Sequence, residues 1–126
     1  MVLIENLVSF IEENTSLVVD TDLFIGAFEV SSPRRCVAVS EFAGGLSSWS
    51  GVNTQPIQVL SKDITYLLAE ALAFTVHNLL DEKAGFSFTG LSGIFYCQVL
   101  DRPFPIGRDK AGSFIFSSNY LLRMTE

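Results

Sequence analysis

The residues that could carry out acid, base or nucleophilic chemistry are few and scattered. Of 126 residues, one is histidine, two are cysteine and 17% are charged. A nucleophilic triad needs a histidine as base, but the lone His77 lies in a helical pattern and no GxSxG elbow occurs in the chain. The close acidic pairs lie at predicted helix ends, where carboxylates are usually solvated: Glu12 with Glu13, and Asp81 with Glu82. We therefore expect a protein that is not an enzyme, in which His77 belongs to the core.

The sequence also contains no motif that is typical of a metal site or a phosphate site. Cys36 and Cys97 are isolated, without a CxxC pair or a second histidine, so we predict two buried thiols rather than a zinc site or a disulfide. Gly44 and Gly45 follow a predicted strand but lead into neither GK[ST] nor a helix, which a phosphate loop requires. We expect no cofactor and no metal ion.

Composition and charge narrow the class of protein further. The 14 acidic and 8 basic residues give a net charge of −6, which argues against binding nucleic acid through its phosphates. No apolar run approaches the roughly 18 residues of a membrane helix, and the first ten residues lack a secretory pattern, so we expect cytoplasmic synthesis. The length predicts a single domain over residues 1–126. With 48% hydrophobic residues and a mean hydropathy of +0.38, the chain is more apolar than one small core requires.

Periodicity and turn residues predict the elements that carry these groups. A helix over about residues 3–14 and a second from Ile64 to Asp81, with Asp63 as its N-cap, have the three- and four-residue apolar spacing of amphipathic helices. Strands are predicted at 23–28, 36–42, 56–61, 94–100 and 113–123. Short connections favour an α+β fold, a mostly antiparallel sheet of four or five strands with both helices on one face, in the order α-β-β-β-α-β-β. The second helix is apolar over more than half its circumference, so it must be covered on more than one side.

Two predicted loops contain the remaining aromatic signals. In the loop 43–53, Trp49 has two open interpretations, a lid on the core or an anchor at an interface, where Trp is enriched. In the loop 101–112, Pro103 and Pro105 flank Phe104 and stiffen it, which lowers the entropy lost on docking. This second loop is either a hairpin tip with one solvated ion pair or a contact surface.

The second loop also carries a family resemblance. The run Pro105-Ile-Gly-Arg-Asp-Lys-Ala-Gly112, continued through Phe114 and Phe116 to Asn119, resembles the C-terminal signature of the tail-terminator, or minor capsid, proteins of long-tailed bacteriophages. The segment 36–45 (CVAVSEFAGG) resembles the second strand and loop of that family. The chain length and the order of predicted elements agree with the family over nearly all 126 residues.

The resemblance implies a structural role in the virion. Members form a ring, expected to be hexameric, that stops polymerisation of the tail tube and joins the tail to the head connector. The implied partners are other copies of the chain, the tail tube protein and the head completion protein, and assembly takes place in the host cytoplasm. DNA would pass through the ring without specific binding, which the acidic charge favours because a basic lumen would hold phosphates.

The resemblance and the loop chemistry together select five candidate interface residues. Trp49 and Phe104 would be the apolar anchors, and Arg102, Arg108 and Asp109 the polar partners, since Arg favours bidentate contacts. Alternatively, Arg108 and Asp109 pair with each other to lock the turn. The rival functions are another head-to-tail connector of the same fold and, from a different class, a ligand-binding domain with a pocket under the 43–53 loop.

Overall fold

The helices and strands of the protein follow the predicted order, with additions at the sheet edges. The computed structural model describes residues 2–28, 33–41, 46–47, 52–81, 84–86 and 94–125. Within these ranges the chain forms two helices, α1 (Val2–Asn14) and α2 (Tyr66–Leu80). It also forms seven strands: β1 (Leu23–Ile25), β2 (Cys36–Glu41), β3 (Leu46–Ser47), β4 (Val52–Asp63), β5 (Ala84–Phe86), β6 (Ile94–Arg108) and β7 (Phe114–Thr125).

The strands form one sheet in the order β1-β2-β4-β7-β6-β5, with β3 paired to β4. All pairs are antiparallel except β1 with β2. The predicted α+β class, the mostly antiparallel sheet and the order α-β-β-β-α-β-β are confirmed. The short strand β3 lies in the predicted loop 43–53, and β5 lies between the second predicted helix and the predicted strand 94–100. A strand of two or three residues is too short to leave a periodic signal.

The main core lies between the two helices and one face of the sheet. In α1, Ile4, Leu7, Val8 and Ile11 are buried at helical spacing while Glu5 and Glu13 face solvent. The sixteen buried residues of this core come from both helices, from the segment between α1 and β1, and from β1, β2, β4, β6 and β7: Ile4, Leu7, Val8, Ile11, Leu17, Leu23, Val37, Val39, Ile57, Val59, Leu72, Val76, Leu80, Cys97, Tyr120 and Leu122. Both helices therefore cover the same face, as predicted.

The start of α2 differs from the prediction. Its N-cap is Thr65, whose Oγ1 accepts a hydrogen bond from the Leu68 N–H at 3.2 Å, and not Asp63. The reason is that β4 continues to Asp63, which pairs with Phe114 on β7, so the chain becomes helical only afterwards. Residue types identify a capping group, but they do not show where the preceding strand stops.

The segment 101–112 also differs from the prediction, because most of it is strand rather than loop. β6 runs to Arg108 and pairs with β7 down to Arg108 opposite Phe114. Irregular steps in the register between Val99 and Gly107 accommodate the two prolines, which sheets tolerate at edges and bulges. Only the four residues 109–112 form the turn of this long hairpin.

Candidate interaction surface

The turn of the β6–β7 hairpin is held by Asp109. Its Oδ1 accepts a hydrogen bond from the Ser113 N–H at 2.8 Å, and its own N–H donates to the Ser113 carbonyl at 2.9 Å. The Gly112 N–H donates to the Asp109 carbonyl at 3.0 Å and closes the turn. Gly112 has a φ of 85°, a left-handed conformation that glycine adopts without strain. The residue types of this turn thus match its geometry.

Asp109 also binds a nearly buried lysine on another strand. The Lys62 Nζ lies 3.2 Å from the Asp109 Oδ2 and 4.7 Å from the centroid of the Phe28 ring, and Lys62 is only 8% exposed. Burial alone would raise the pKa of the Asp109 carboxyl, but the hydrogen bond from Ser113 and the charge of Lys62 outweigh burial and lower it. The cation that Asp109 binds is therefore Lys62 and not its neighbour Arg108, and the carboxylate acts inside the subunit.

Arg34, which lies just before β2, forms hydrogen bonds with the turn region of the hairpin. The Arg34 Nη2 donates to the Ala111 carbonyl at 3.0 Å, and its Nε donates to the Ser113 Oγ at 3.3 Å. Two regions far apart in sequence are thereby joined at the same end of the sheet. The position of the turn is set by these contacts as well as by its own hydrogen bonds.

The Arg108 guanidinium lies over the Phe114 ring at the end of the hairpin. Its guanidinium carbon is 4.4 Å from the centroid of the Phe114 ring, and its Nε donates a long hydrogen bond of 3.4 Å to the Gly112 carbonyl. Phe114 and Phe116 each contact Tyr66 of α2 edge to face, at centroid distances of 5.9 and 5.1 Å. Arg108 therefore covers the aromatic contact between the hairpin and α2.

Arg102 and Phe104 are placed differently, on the exposed outer part of β6. Phe104 is 41% exposed, Ile106 is 51% exposed, and Leu100 and Arg102 are exposed as well. We call these four residues the β6 surface. Sequence reasoning missed Leu100 and Ile106 because the segment was interpreted as a loop. The signal that could have found them is the two-residue spacing of Leu100, Arg102, Phe104 and Ile106, which is typical of a strand. The register steps of β6 interrupt this alternation, so the four side chains are grouped by their exposure.

A second apolar surface lies on the first turn of α2 and just before it. Leu67 is 73% exposed, and Ile64 and Leu68 are exposed to about the same extent as Ile106. We call these three residues the α2 surface. The broad apolar pattern of this helix predicted that it needs cover on more than one side, and within the described residues this part of it faces solvent. Trp49, the remaining candidate, lies outside the described residues.

The one histidine is buried in the core, and only its Nδ1 has a hydrogen-bond partner. His77 is fully buried, its Nδ1 forms a 2.9 Å hydrogen bond with the Tyr120 hydroxyl, and its Nε2 lies 3.7 Å from the Asp81 carboxylate. Burial lowers the pKa of His77 more than the Asp81 charge raises it, and Arg102 lowers it further. The imidazole therefore stays neutral at neutral pH and acts as a core group.

The two cysteines are buried and are not joined in a disulfide, as predicted. Burial raises the pKa of the Cys36 thiol to about 11, although Lys62 opposes the shift, so the reactive thiolate is scarce at neutral pH. Among the described residues there is no group of three or more His, Cys, Asp or Glu side chains arranged to hold a metal ion. Nor does the described part of the chain include a helix long and apolar enough to cross a membrane.

An open cleft lies at the β1 edge of the sheet. Its volume is about 460 Å³, and it is lined by Ile4, Ile25, Gly26, Ser40, Glu41 and Gln58. Glu41 is its one titratable side chain among the described residues, so the cleft has no acid and base pair for catalysis. Apolar groups and one carboxylate line the cleft. An apolar side chain with a positively charged neighbour would complement such a lining.

Known proteins that resemble this chain come from a phage tail family and from a virion particle. A family model described as "Bacteriophage tail terminator protein" matches residues 10–126. Among solved structures, a chain from "Virion of native gene transfer agent (GTA) particle" superposes with a TM-score of 0.68, covering 97% of this chain and 96% of that one. The two are 14% identical in sequence, so this similarity shows a shared fold alone. No curated protein matches the sequence significantly.

Proposed function

The chain belongs to the bacteriophage tail terminator protein family, and from this premise we propose that it is the subunit of a homo-oligomeric ring that caps the tail tube. The family match covers all but the first nine residues, which confirms the resemblance carried by the segment 105–119 and identifies a structural protein of the phage tail. In the proposed role the ring, expected to be a hexamer, joins the tail to the head connector and becomes part of the virion. Its partners are other copies of the chain, the tube protein and the head completion protein.

The observation that carries the proposal is the amount of apolar side chain left in solvent on a small subunit. The β6 surface and the α2 surface together expose five large aliphatic residues and one phenylalanine. Exposed apolar side chains that lie close together mark protein interfaces, and interface cores are richer in such groups than the rest of a surface. Assembly into a ring and onto the tube would bury both surfaces.

The five candidate interface residues take two kinds of role in this proposal. Arg102 and Phe104 are exposed, and we propose that they contact a neighbouring molecule directly. We propose the same direct contact for Trp49. Arg108 and Asp109 are engaged within the subunit, by Phe114 and Lys62 respectively, so we propose that they serve the interface by fixing the shape of the hairpin. In the sequence, these four residues lie within eight positions, 102–109, with the exposed pair first and the engaged pair after it.

The net charge fits a ring through which DNA passes. With 14 acidic against 8 basic residues, a lumen lined by this chain would not retain phosphates by releasing their counterions. If the acidic side chains prove to lie on the outer wall of the assembled ring, this part of the proposal fails.

Electron microscopy of the protein mixed with tail-tube subunits tests the proposal. We expect tubes that stop growing and end in a ring, and free protein whose mass by light scattering rises towards that of the ring with concentration. A Leu67→Ser variant should cap fewer tubes because the α2 surface loses its most exposed apolar group. Asn78→Ser, an exposed polar position on the same helix, is the matched control. Tubes that grow without limit would contradict the terminator role, and binding to the head connector alone would favour the rival neck protein.

A further inference from the structure

The N-terminal segment and the β6–β7 hairpin carry net charges of opposite sign. Residues 2–28, which form α1 and β1, hold five acids and no base, a net charge of −5: Glu5, Glu12, Glu13, Asp20 and Asp22. Residues 94–125, which form β6 and β7, hold four bases and two acids, a net charge of +2: Arg102, Arg108, Lys110 and Arg123 against Asp101 and Asp109. Both of these acids accept hydrogen bonds within the hairpin, from Asn119 and Ser113. On β6 itself the charged residues are Arg102 and Arg108 against Asp101, so this strand has a small excess of positive charge.

Each edge also presents exposed apolar side chains. At the β1 edge Ile25 is 47% exposed and forms part of the cleft of about 460 Å³. At the β6 edge Phe104 and Ile106 are exposed to a similar extent. A cleft of this size is within the roughly 300–1,000 Å³ range of sites that hold small molecules, so it has room for one aromatic side chain.

The β6 edge is poorly suited to pairing with another strand through its backbone. In the described residues, β5 pairs with β6 only at Phe95 and Tyr96, so the rest of that edge is open. Pro103 and Pro105 lie on it and have no backbone N–H, so an incoming strand would lack donors there. Contacts at this edge must therefore be made by side chains. Because a proline on either side restricts the backbone at Phe104, little conformational entropy is lost when Phe104 docks.

We propose that Phe104 of one copy docks into the β1 cleft of a second copy, with its neighbour Arg102 placed against Glu41 at the rim. This inference rests on the proposed ring. β1 and β6 lie on opposite sides of the central strands, so the contact is head to tail and repeats around a closed ring. Phe104 supplies the apolar anchor and the cleft supplies Ile4 and Ile25 to receive it.

The charges favour this occupant over a symmetric contact. If two copies met β6 edge to β6 edge, the arginines at 102 and 108 would face like charges, and two β1 edges would bring acids together. Only the pairing of one edge with the other places Arg102 near Glu41 and joins the −5 segment to the +2 segment. The complementary partner surface is therefore present on the same chain.

A pair of variants tests the contact by complementation. Phe104→Ser removes the anchor but leaves the cleft intact, and Ile25→Arg fills the cleft and repels Arg102 but leaves the anchor intact. Both residues are half exposed, so both variants should fold, which circular dichroism and thermal unfolding would check. Val18→Ser, an exposed apolar residue away from the cleft lining, and Thr75→Arg, an exposed position on α2, are the matched controls.

Each variant alone should stay monomeric by light scattering, at concentrations and with tube subunits under which wild type and both controls form rings. Mixed in equal amounts, the two variants should form dimers and nothing larger, because only one functional interface can form between them. Rings formed by either variant alone, or folded variants that remain monomeric when mixed, would overturn the proposed contact.

A charge exchange gives an independent measurement. Arg102→Glu and Glu41→Arg should each weaken assembly about tenfold, and the two substitutions in one chain should restore it. If the double variant is as weak as the single ones, Arg102 does not meet Glu41. Wild type that forms no ring, alone or on tubes, would refute the proposed function itself, whereas variants that still form rings would refute only this interface.

Discussion

The turn of the β6–β7 hairpin and the β6 surface are neighbours in sequence, but the turn makes contacts within the subunit whereas the β6 surface is exposed to solvent. Asp109 at the turn is bound by Ser113 and Lys62, whereas Ile106, on the adjoining part of β6, leaves half of its side chain in solvent. The recognisable segment 105–112 thus mainly builds the subunit through its turn, whereas the exposed residues of β6, which begin before the segment and end at Ile106 within it, are left for another molecule. A family signature can therefore mark the residues that shape a surface rather than those that touch the partner.

The largest expected effect on this contrast comes from Asp109→Ala. The substitution leaves the nearly buried Lys62 without its carboxylate and removes a hydrogen bond from the turn, so the free energy of unfolding should fall by about 2–3 kcal/mol. Chemical denaturation measures it. Lys110→Ala, an exposed change in the same turn, is the control and should alter the free energy by no more than about 0.5 kcal/mol. Equal effects of the two would mean that the turn is not held by Asp109.

Low pH should remove the contribution of the Asp109 carboxylate to the free energy of unfolding. Because the pKa of folded Asp109 lies below its ordinary value of 3.8, its contribution is fully present above that pH and is lost as the pH falls through the folded-state pKa. The stability difference between wild type and Asp109→Asn should therefore shrink as the pH is lowered below about 3.8. Denaturation of both proteins between pH 5 and the acid limit measures this, and a constant difference would contradict it.

Arg108→Ala should have a smaller effect. An exposed cation on an aromatic face is worth about 0.5–1 kcal/mol, so the loss of the contact with Phe114 should lower the free energy of unfolding by about that amount. Arg108→Lys, which keeps the charge but loses the planar stacking, should recover part of the loss. Ring assembly, followed by light scattering, should weaken only slightly once the subunit is folded, because Arg108 acts by shaping the hairpin and not by touching the neighbour. Failure of the folded variant to assemble would give Arg108 a direct place in the interface.

The smallest effect on stability is expected from Ile106→Ser. Half of the Ile106 side chain is already in water, so the free energy of unfolding should change by about 0.5 kcal/mol or less. Assembly should weaken nonetheless, because the β6 surface loses apolar area. A large loss of stability with normal assembly would reverse the contrast between the turn and the β6 surface.

Sequence reasoning succeeded where the signal is local. The apolar spacing of Leu7 and Ile11 predicted the buried side of α1, and the hairpin tip considered for 101–112 is present as the turn closed by Asp109 and Gly112. It failed at Thr65 and over 101–108, where a strand continued past residues that normally cap a helix or interrupt a strand. Pro103 and Pro105 are typical of loops, and only the pairing of β6 with β7 shows that they lie on an edge.

The amino-acid sequence by itself determined the α+β class, the order of the main elements, the acidic charge, the buried thiols and the membership of a phage tail family. These follow from periodicity, composition and short motifs, all of which act over a few residues or over the whole chain. Only the tertiary structure decided that Asp109 binds Lys62, 47 residues away, and which apolar side chains remain exposed on α2 and β6. Such contacts depend on how strands register across the sheet, a long-range arrangement that no local pattern encodes.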